Sequence, residues 1–595
     1  MAHLLVIGGA SSDILHFGGQ KVSSLGGAGM YTAMAAQRSG VQVTMFSPRP
    51  DPLPDQFIPV NQRLAGWLGP RCSPAELPQF EISYERGKTE YLQEYIGAEE
   101  QLSPTHIPGD LAKYDLIHVT PLGDAERQLT FLQALRKNGA KRISAGTGLF
   151  NAEEQPEAIR IVFEHSDYAF MNYQEAEMVY GSLEAAKTKP GKVLFITRGE
   201  EGAIVVQGDY VTNLPAVPSQ VLDPTGAGDT FCGAAVAQLI LGNHPVMAAT
   251  AAAILSAEMI QYPGPTALFS PDPPPAVPVD LRALVNDSQV WSIARLVAEL
   301  PQVEPFDFTG PELPAVGDPL TLDWFFVATL QQFGFWTTDK GRYHQPVIAT
   351  IDGKKLKGSD YLWQAYLRQL HNDPAFFSVE RQANLSPAEM EQLFQADDGS
   401  IPMPALDLHL AQARQYGYDM LALDLSPQKL LQQASDSSAP LKTFFEILDH
   451  IGGYKEDPLR KKPGLLAFIL NQRPENFLVL GEHEEVTPVI DYHVMRTCLR
   501  TGLVEILDDD LMHKLVSRQV LLPEEEQVVR FACYQAVDRV ASRSGRSMGA
   551  VDWFFFNSRR RCPEMTDPDC QRCPVDPLCA HHKDLFQPVI RTVFY

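Results

Sequence analysis

Short apolar runs alternate with amphipathic stretches along the first 260 residues. Residues 3–9 and 42–47 read as strands, with a helix from Tyr31 to Arg38 between them. Further strand-like runs fall at Leu116–Thr120, Arg142–Ala145, Tyr168–Met171, Val193–Thr197 and Ala203–Gln207, separated by helical periodicity at 126–136 and 158–164. Strand–helix alternation of this kind predicts a doubly wound α/β sheet. From about residue 315 the pattern becomes mostly helical, for example at 320–332, 359–370, 386–395, 404–416 and 524–543, which predicts a second, mostly α-helical domain. Between the two patterns stand Pro263, Pro265, Pro271, Pro273, Pro274, Pro275 and Pro278, a density that sustains neither helix nor central strand. The expected organisation is a first domain over 1–268, a proline-rich linker over 269–314 and a helical domain over 315–595.

A chain of 595 residues is too long for one core. Its net charge is −24, and both halves are acidic: residues 1–275 hold 18 basic and 29 acidic side chains, the remainder 31 and 44. A large phosphate-tracking footprint for nucleic acid is therefore not expected, although Arg559-Arg560-Arg561 makes a local basic patch. The opening Met1-Ala-His-Leu-Leu-Val-Ile-Gly-Gly lacks the charged region and cleavage site of a signal peptide, and no run reaches membrane-spanning length without a charge or a proline. The expectation is a cytoplasmic protein with small-molecule partners and no membrane, with a homodimer as the assembly considered.

The most informative stretch is Asp223-Pro-Thr-Gly-Ala-Gly-Asp-Thr-Phe-Cys-Gly233. Gly226, Ala227 and Gly228 sit where a loop becomes the helix predicted over 230–241. Their bare backbone N–H groups, aided by the helix dipole, can face an anion. Directly behind them Asp229 is placed to take a proton from a hydroxyl that attacks phosphorus.

This motif resembles the signature of the ribokinase-like (PfkB) carbohydrate and nucleoside kinases, and the resemblance covers roughly residues 1–268. It implies ATP and Mg²⁺, and it implies roles for further residues of this sequence. Asp13, Gly26 and Gly27 fall where family members bind substrate hydroxyls. Asn172 and Glu175 match an Asn-x-x-Glu that helps organise Mg²⁺ and phosphate. Thr197, Gly199 and Gly202 match a turn along the nucleotide. Singly, each is more often a bland turn or cap. Their order ahead of residue 223 is what carries the likeness. Several positions depart from the family pattern: Tyr31 replaces a common Asn, Ala28 a common Lys, and Ala145-Gly146-Thr147-Gly148 occupies a region that often carries Asp and Arg. Between Ile14 and Gly26 there is little room for the strands of the usual substrate lid. The altered residues point away from free ribose or fructose, and Tyr31 suits a nucleoside or another bulky alcohol.

Of eight cysteines, Cys72, Cys232, Cys498 and Cys533 are scattered and read as buried small hydrophobes. Cys562, Cys570, Cys573 and Cys579 are spaced Cys-x7-Cys-x2-Cys-x5-Cys, close enough to wrap one metal centre, iron–sulfur or zinc. With an apparent helix over 553–562 running into the first cysteine, the loop resembles the terminal [4Fe–4S] loop of endonuclease III-type (HhH-GPD) glycosylases. Upstream, Ile490-Asp491-Tyr492-His493 resembles the segment holding their catalytic Asp. There a buried carboxylate can stabilise an oxocarbenium-like sugar, while the plain alternative is a helix N-cap. The stretch 320–510, through Asp323-Trp324, Phe335-Trp336, Gly358–Trp363 and Ile490-Asp491-Tyr492, is similar to queuosine salvage proteins, N-glycosidases acting on a nucleoside 5′-phosphate. That likeness implies Trp336 and Trp363 as base-binding rings, with Lys461 and Lys462 near the phosphate. The reading favoured is a bifunctional salvage enzyme, kinase then glycosidase. The alternatives are a PfkB kinase fused to an iron–sulfur DNA glycosylase, or to a non-catalytic sensing or binding module.

Overall fold

The computed structural model describes residues 2–17, 20–85, 88–271, 280–339 and 342–595. The chain forms two compact units, Met1–Pro278 and Val279–Tyr595.

The first unit is built on a nine-stranded sheet. Its order is Tyr210–Leu214, Ala203–Gln207, Val193–Thr197, Tyr168–Asn172, Ile143–Gly146, Leu116–Val119, His3–Ile7, Gln42–Phe46 and Gly66–Leu68. The seven strands from Val193–Thr197 to Gly66–Leu68 run parallel, and the two at the other edge are antiparallel. Parallel strands covered on both faces need continuous apolar runs. Leu4, Leu5, Val6 and Ile7 supply one, all fully buried. Leu4 and Val6 point into a core formed with helices Ala28–Arg38, Ala227–Ile240 and Pro245–Met259. Leu5 and Ile7 point the other way, towards Ala125–Lys137, Pro156–His165 and Tyr173–Tyr180. This is the α/β architecture expected from the sequence.

A second sheet corrects the expectation that no room exists for lid strands. Ser11–Phe17 and Gln20–Gly26 pair antiparallel from Ser11↔Gly26 to Phe17↔Gln20, and Gln79–Glu85 and Lys88–Tyr95 extend the sheet to four strands. The space sufficed because Asp13 and Gly26 are themselves strand residues and only two residues separate the strands.

The second unit is mostly helical, and Pro523–Ser544 is its longest helix. Three two-stranded pairs interrupt it: Trp336–Asp339 with Arg342–Pro346, Ile348–Ile351 with Lys354–Lys357, and Ala283–Val285 with Val504–Ile506. Strand Ala283–Val285 of the last pair, with helix Asp287–Glu299, falls within the segment expected to be linker. Val290, Ile293, Ala294 and Val297 of that helix are buried in the core of the second unit. The folded unit thus starts well before residue 315, while the densest prolines, at 272–279, lie outside the described residues. Among the described residues no helix is long and apolar enough to cross a membrane.

Candidate functional sites

In the first unit, helix Ala227–Ile240 begins at Gly226, which has φ 76° and no side-chain cap. A Cβ there would fall 2.6 Å from the ring of Tyr31, whereas one at Gly228 would meet open space. The loop is pinned by buried Asp223, whose carboxylate accepts from Thr225 N (3.0 Å) and Gly264 N (2.8 Å). Ala227 N is taken up in the turn, donating to Pro224 O (3.1 Å), so the helix start offers the N–H groups of Gly226 and Gly228 at a fixed position. Asp229 stands in its first turn, and withdrawal from water pushes its carboxyl up to about 7.

Other carboxylates converge on the same place. Asp13 accepts from Phe80 N (3.2 Å), and burial raises it to about 6. Gly26 lies opposite, and a Cβ on it would sit 1.6 Å from Asp13 Oδ2, so only glycine leaves that oxygen its space. Tyr31 is 2% exposed, and its hydroxyl is buried without a hydrogen-bond partner. Burial and then the charges of Asp223, Asp13 and Asp229 push its phenol well above the ordinary value. Asn172 and Glu175 form a reciprocal capping box, Asn172 Oδ1 accepting from Glu175 N (2.9 Å) and Glu175 Oε2 from Asn172 N (2.8 Å). Burial, with a contribution from Asp229, still lifts Glu175 to about 7. Gly27, with φ 92°, starts helix Ala28–Arg38 in close approach to the carbonyl of Gly9.

Thr197, Gly199 and Gly202 form the turn between Val193–Thr197 and Ala203–Gln207. There Gly202, with φ 92°, passes so near Leu214 O that a Cβ would fall 2.0 Å from it. Its glycine has a structural reason independent of any nucleotide. Sequence reasoning missed Tyr91 on the strand Lys88–Tyr95, a ring 59% exposed to solvent on whose phenol the charges of Asp229, Glu94, Asp13 and Glu175 act. Its only sequence signal was an aromatic within a strand-like run that had not been recognised.

In the second unit a cavity of about 300 Å³ is lined by Asp491, His493, Asp552, Lys461, Trp363 and Trp553, among others. Asp491 caps helix Tyr492–Thr501, Oδ1 accepting from His493 N (2.8 Å) and Val494 N (2.9 Å). Burial raises its carboxyl, and Lys461, the Val494 N–H, Arg559 and Arg496 oppose that rise. Its position is set by a buried network. Asp457 accepts from Arg530 Nη1 (2.7 Å) and Nη2 (2.6 Å) and from Lys461 N (2.8 Å), and Arg530 Nε donates to Ile490 O (3.1 Å). One ion pair thereby fixes both Lys461 and the residue before Asp491.

The tryptophans divide. Trp363 lines the cavity and stacks on Trp324 at 5.1 Å. Trp336, expected to bind substrate, is not among the lining residues and stacks on Tyr343 at 5.4 Å in the core. Trp553, stacked on Phe306 at 4.2 Å, lines the cavity instead. The expected phosphate lysines divide too. Lys461 faces the cavity, its Nζ donating to Gln332 O (3.1 Å), and burial lowers it to about 8. Lys462 turns to Leu330 O (2.9 Å) and the ring of Phe333. Arg559 and Arg560 supply the cavity's other cations.

A second cavity, of about 470 Å³, is lined by all four clustered cysteines, with Arg500 and Trp553. All four thiols are free. Arg500 Nη1 lies 3.3 Å from Cys562 Sγ, Cys579 Sγ donates to Arg500 O (3.5 Å), and His581 N donates to Cys579 Sγ (3.4 Å). Burial raises the Cys579 thiol, with Cys573, Cys562 and Cys570 adding to the rise, and burial and Cys562 raise Cys573. Among the described residues, the group of three or more metal-ligand atoms all within 4.8 Å of one another is Cys570, Asp576 and His581.

The first unit thus has the fold and the uncapped helix start of a phosphate-transferring kinase, and the second holds a base-sized aromatic cavity with buried carboxyls. Residues 92–273 match the pfkB family carbohydrate kinase, and residues 313–459 match the Queuosine salvage protein family. The chain therefore carries a PfkB carbohydrate kinase domain in its N-terminal part and a queuosine salvage domain in its C-terminal part. These family matches do not extend to the endonuclease III-type resemblance. The first match takes in Asn172 through Asp229 but begins after Asp13, Gly26, Gly27 and Tyr31. The second ends before Lys461, Asp491 and the cysteines. The chain is similar to the cytidine kinase of Thermococcus kodakarensis, with 27% identity over 39% of this chain and 87% of that protein. It is also similar to the nucleoside kinase of Methanocaldococcus jannaschii, with 26% identity over 26% of this chain and 52% of that protein. Among solved structures, the Burkholderia thailandensis nucleoside kinase in complex with inosine is 21% identical over 44% of this chain and 92% of its own, with a TM-score of 0.39.

Proposed function

We propose that this protein is a bifunctional nucleoside salvage enzyme. The first unit phosphorylates a nucleoside hydroxyl with ATP, and the second releases the base from a nucleoside 5′-phosphate of the queuosine 5′-phosphate type. The observation that carries the kinase half is Asp229 in the first turn of a helix whose N–H groups have no cap. In this reading the N–H groups of Gly226 and Gly228 hold the phosphate being transferred, Ala227 shaping the turn through its bond to Pro224 O, while Asp229 takes the proton of the attacking hydroxyl. Tyr31, Asp13, Gly26 and Gly27 form the acceptor side, and the unpartnered Tyr31 hydroxyl is free to bond a substrate group. Asn172, Glu175, Thr197, Gly199 and Gly202 form the nucleotide side. Asp229 and Glu175 are both raised by burial, and the Asp229 charge adds to the rise of Glu175, a concentration of negative charge that Mg²⁺ would relieve.

In the second unit Asp491 keeps its charge facing the cavity and stabilises the sugar cation that develops as the base departs. Trp363 and Trp553 supply flat faces for a base, and Arg559 and Arg560 are better placed than Lys462 to hold a 5′-phosphate. Cys562, Cys570, Cys573 and Cys579 would hold a [4Fe–4S] cluster that cross-links the loop beside this cavity. The site is tested by incubating anaerobically purified protein with Mg-ATP and a panel of nucleosides, 7-deazaguanine nucleosides included, and following products by mass spectrometry. The expected products are a nucleoside 5′-phosphate and then a free base. Nucleotides of every class left intact would remove the glycosidase half. Elemental analysis with one zinc and neither iron nor labile sulfide would remove the cluster.

A further inference from the structure

Asp552 was not singled out by any motif, yet it lines the same cavity as Asp491. It belongs to helix Met548–Asn557, and its Oδ1 accepts from Val489 N (2.9 Å), which leaves Oδ2 as its remaining oxygen. We propose that Asp552 is the general acid of this cavity, donating a proton from Oδ2 to the ring nitrogen of the departing base. The role rests on the reading of the cavity as an N-glycosidase site.

The two carboxyls sit in opposed surroundings. Asp491 accepts two N–H groups at a helix start, with Lys461, Arg559 and Arg496 acting on it, all favouring the anion. Asp552 accepts a single N–H. Burial first, and then the Asp491 charge, push it up to about 8, and only the Val489 N–H and Lys461 pull the other way. A pair of carboxyls driven apart in this manner divides into an ionised partner and a proton-bearing one. The neighbouring His493 is not a substitute acid. Its Nδ1 faces the Arg496 guanidinium at 3.0 Å, and burial and that cation hold the ring neutral.

The step balances as a hydrolysis. The C1′–N bond breaks with its electron pair going to the base, whose nitrogen receives the Asp552 proton. A water oxygen bonds to C1′, and its proton passes to Asp491. Exchange with solvent then restores both carboxyls.

The discriminating variant is Asp552→Asn, assayed on two nucleotides with wild-type protein alongside. A 7-deazaguanine nucleoside 5′-phosphate needs a proton on its leaving base. In 7-methylguanosine 5′-phosphate the base is already cationic and leaves neutral without one. The expected loss is about 10²–10⁴-fold on the first substrate, with the second held within about tenfold of wild type. Independently of turnover, an infrared difference spectrum between wild type and D552N at pH 7 should show a protonated carboxyl band from the wild type. Equal losses on both substrates, an unchanged rate on the first, or an ionised carboxylate signal each overturn the role. Wild-type protein that releases base from neither nucleotide overturns the glycosidase reading and this role together.

Discussion

Two helix starts in this molecule are built in opposite ways. Helix Ala227–Ile240 begins at a glycine and has no side chain on its first N–H groups, while helix Tyr492–Thr501 begins at Asp491, whose carboxylate already occupies two of them. The first end is left open to a foreign anion, as a phosphoryl group is. The second brings its own anion, so what it can recruit is positive charge, including charge that exists only while a glycosidic bond is breaking. The two starts also differ in backbone, left-handed at Gly226 and extended at Asp491, and in the proposed reading an absent cap serves chemistry on phosphorus while an ionised cap stabilises developing charge on carbon.

The largest effect expected is at Asp229. Asp229→Asn should lower ATP-dependent phosphorylation by about 10²–10⁴-fold, since an amide has the shape but cannot take the proton. A wild-type rate in a coupled ADP assay would show that the acid at the open helix plays no part. Next comes Asp491→Asn, expected to cost about 10²–10³-fold in base release while phosphorylation and melting temperature stay near wild type, because Asn caps a helix about as well. Normal base release from this variant would reduce Asp491 to a cap. A smaller effect separates the two glycines. Gly226→Ala places a methyl against the Tyr31 ring at a positive φ and should cost about 1–3 kcal/mol in urea unfolding. Gly228→Ala meets nothing and should gain about 0.5–1 kcal/mol of helix propensity. Similar values for the two would mean that the loop relaxes.

The smallest effect is in pH. Asp229 is raised from 3.8 to about 7, so its contribution to stability is present below about 4 and is lost as pH rises through 7. Phosphorylation needs the ionised form and should rise over the same interval. D229N should therefore melt above wild type at pH 8 and level with it at pH 4. A melting difference independent of pH would mean that Asp229 is not held neutral by the fold.

Much of the first unit could be read from its pattern, because continuous apolar runs such as Leu4–Ile7 have no other home than a sheet covered on both sides. The motif at 223–233 was legible because its small residues stand in order around a carboxylate, and Gly226 is required by its positive φ and by the Tyr31 ring beside it. The four-stranded sheet was missed because Gln20–Gly26 and Lys88–Tyr95 are mostly polar, although Gln79–Glu85 alternates polar and apolar residues. In the second unit Trp363 and Trp336 look alike in sequence, and only the packing of Trp336 on Tyr343 tells them apart. Asp552 could not be found at all, since its chemistry comes from burial beside Asp491, 61 residues earlier in the chain. Sequence periodicity marks which residues are inside, not which charges share a space.

The strand Ala283–Val285 and the helix after it carry a practical consequence for dissecting the protein. Ala283–Val285 pairs with Val504–Ile506, and Gln289 Nε2 donates to both Thr501 O and Leu578 O (2.6 Å each), tying the start of the unit to the loop that carries the cysteines. A fragment trimmed at residue 315 would strip away this brace, leave the edge of Val504–Ile506 unpaired and bare the apolar bed of Val290, Ile293 and Val297. Such a fragment should aggregate and lose the anchored arrangement of the cysteine loop. One that begins near residue 280 retains the brace, and with it the means of studying the two chemistries in separate tubes.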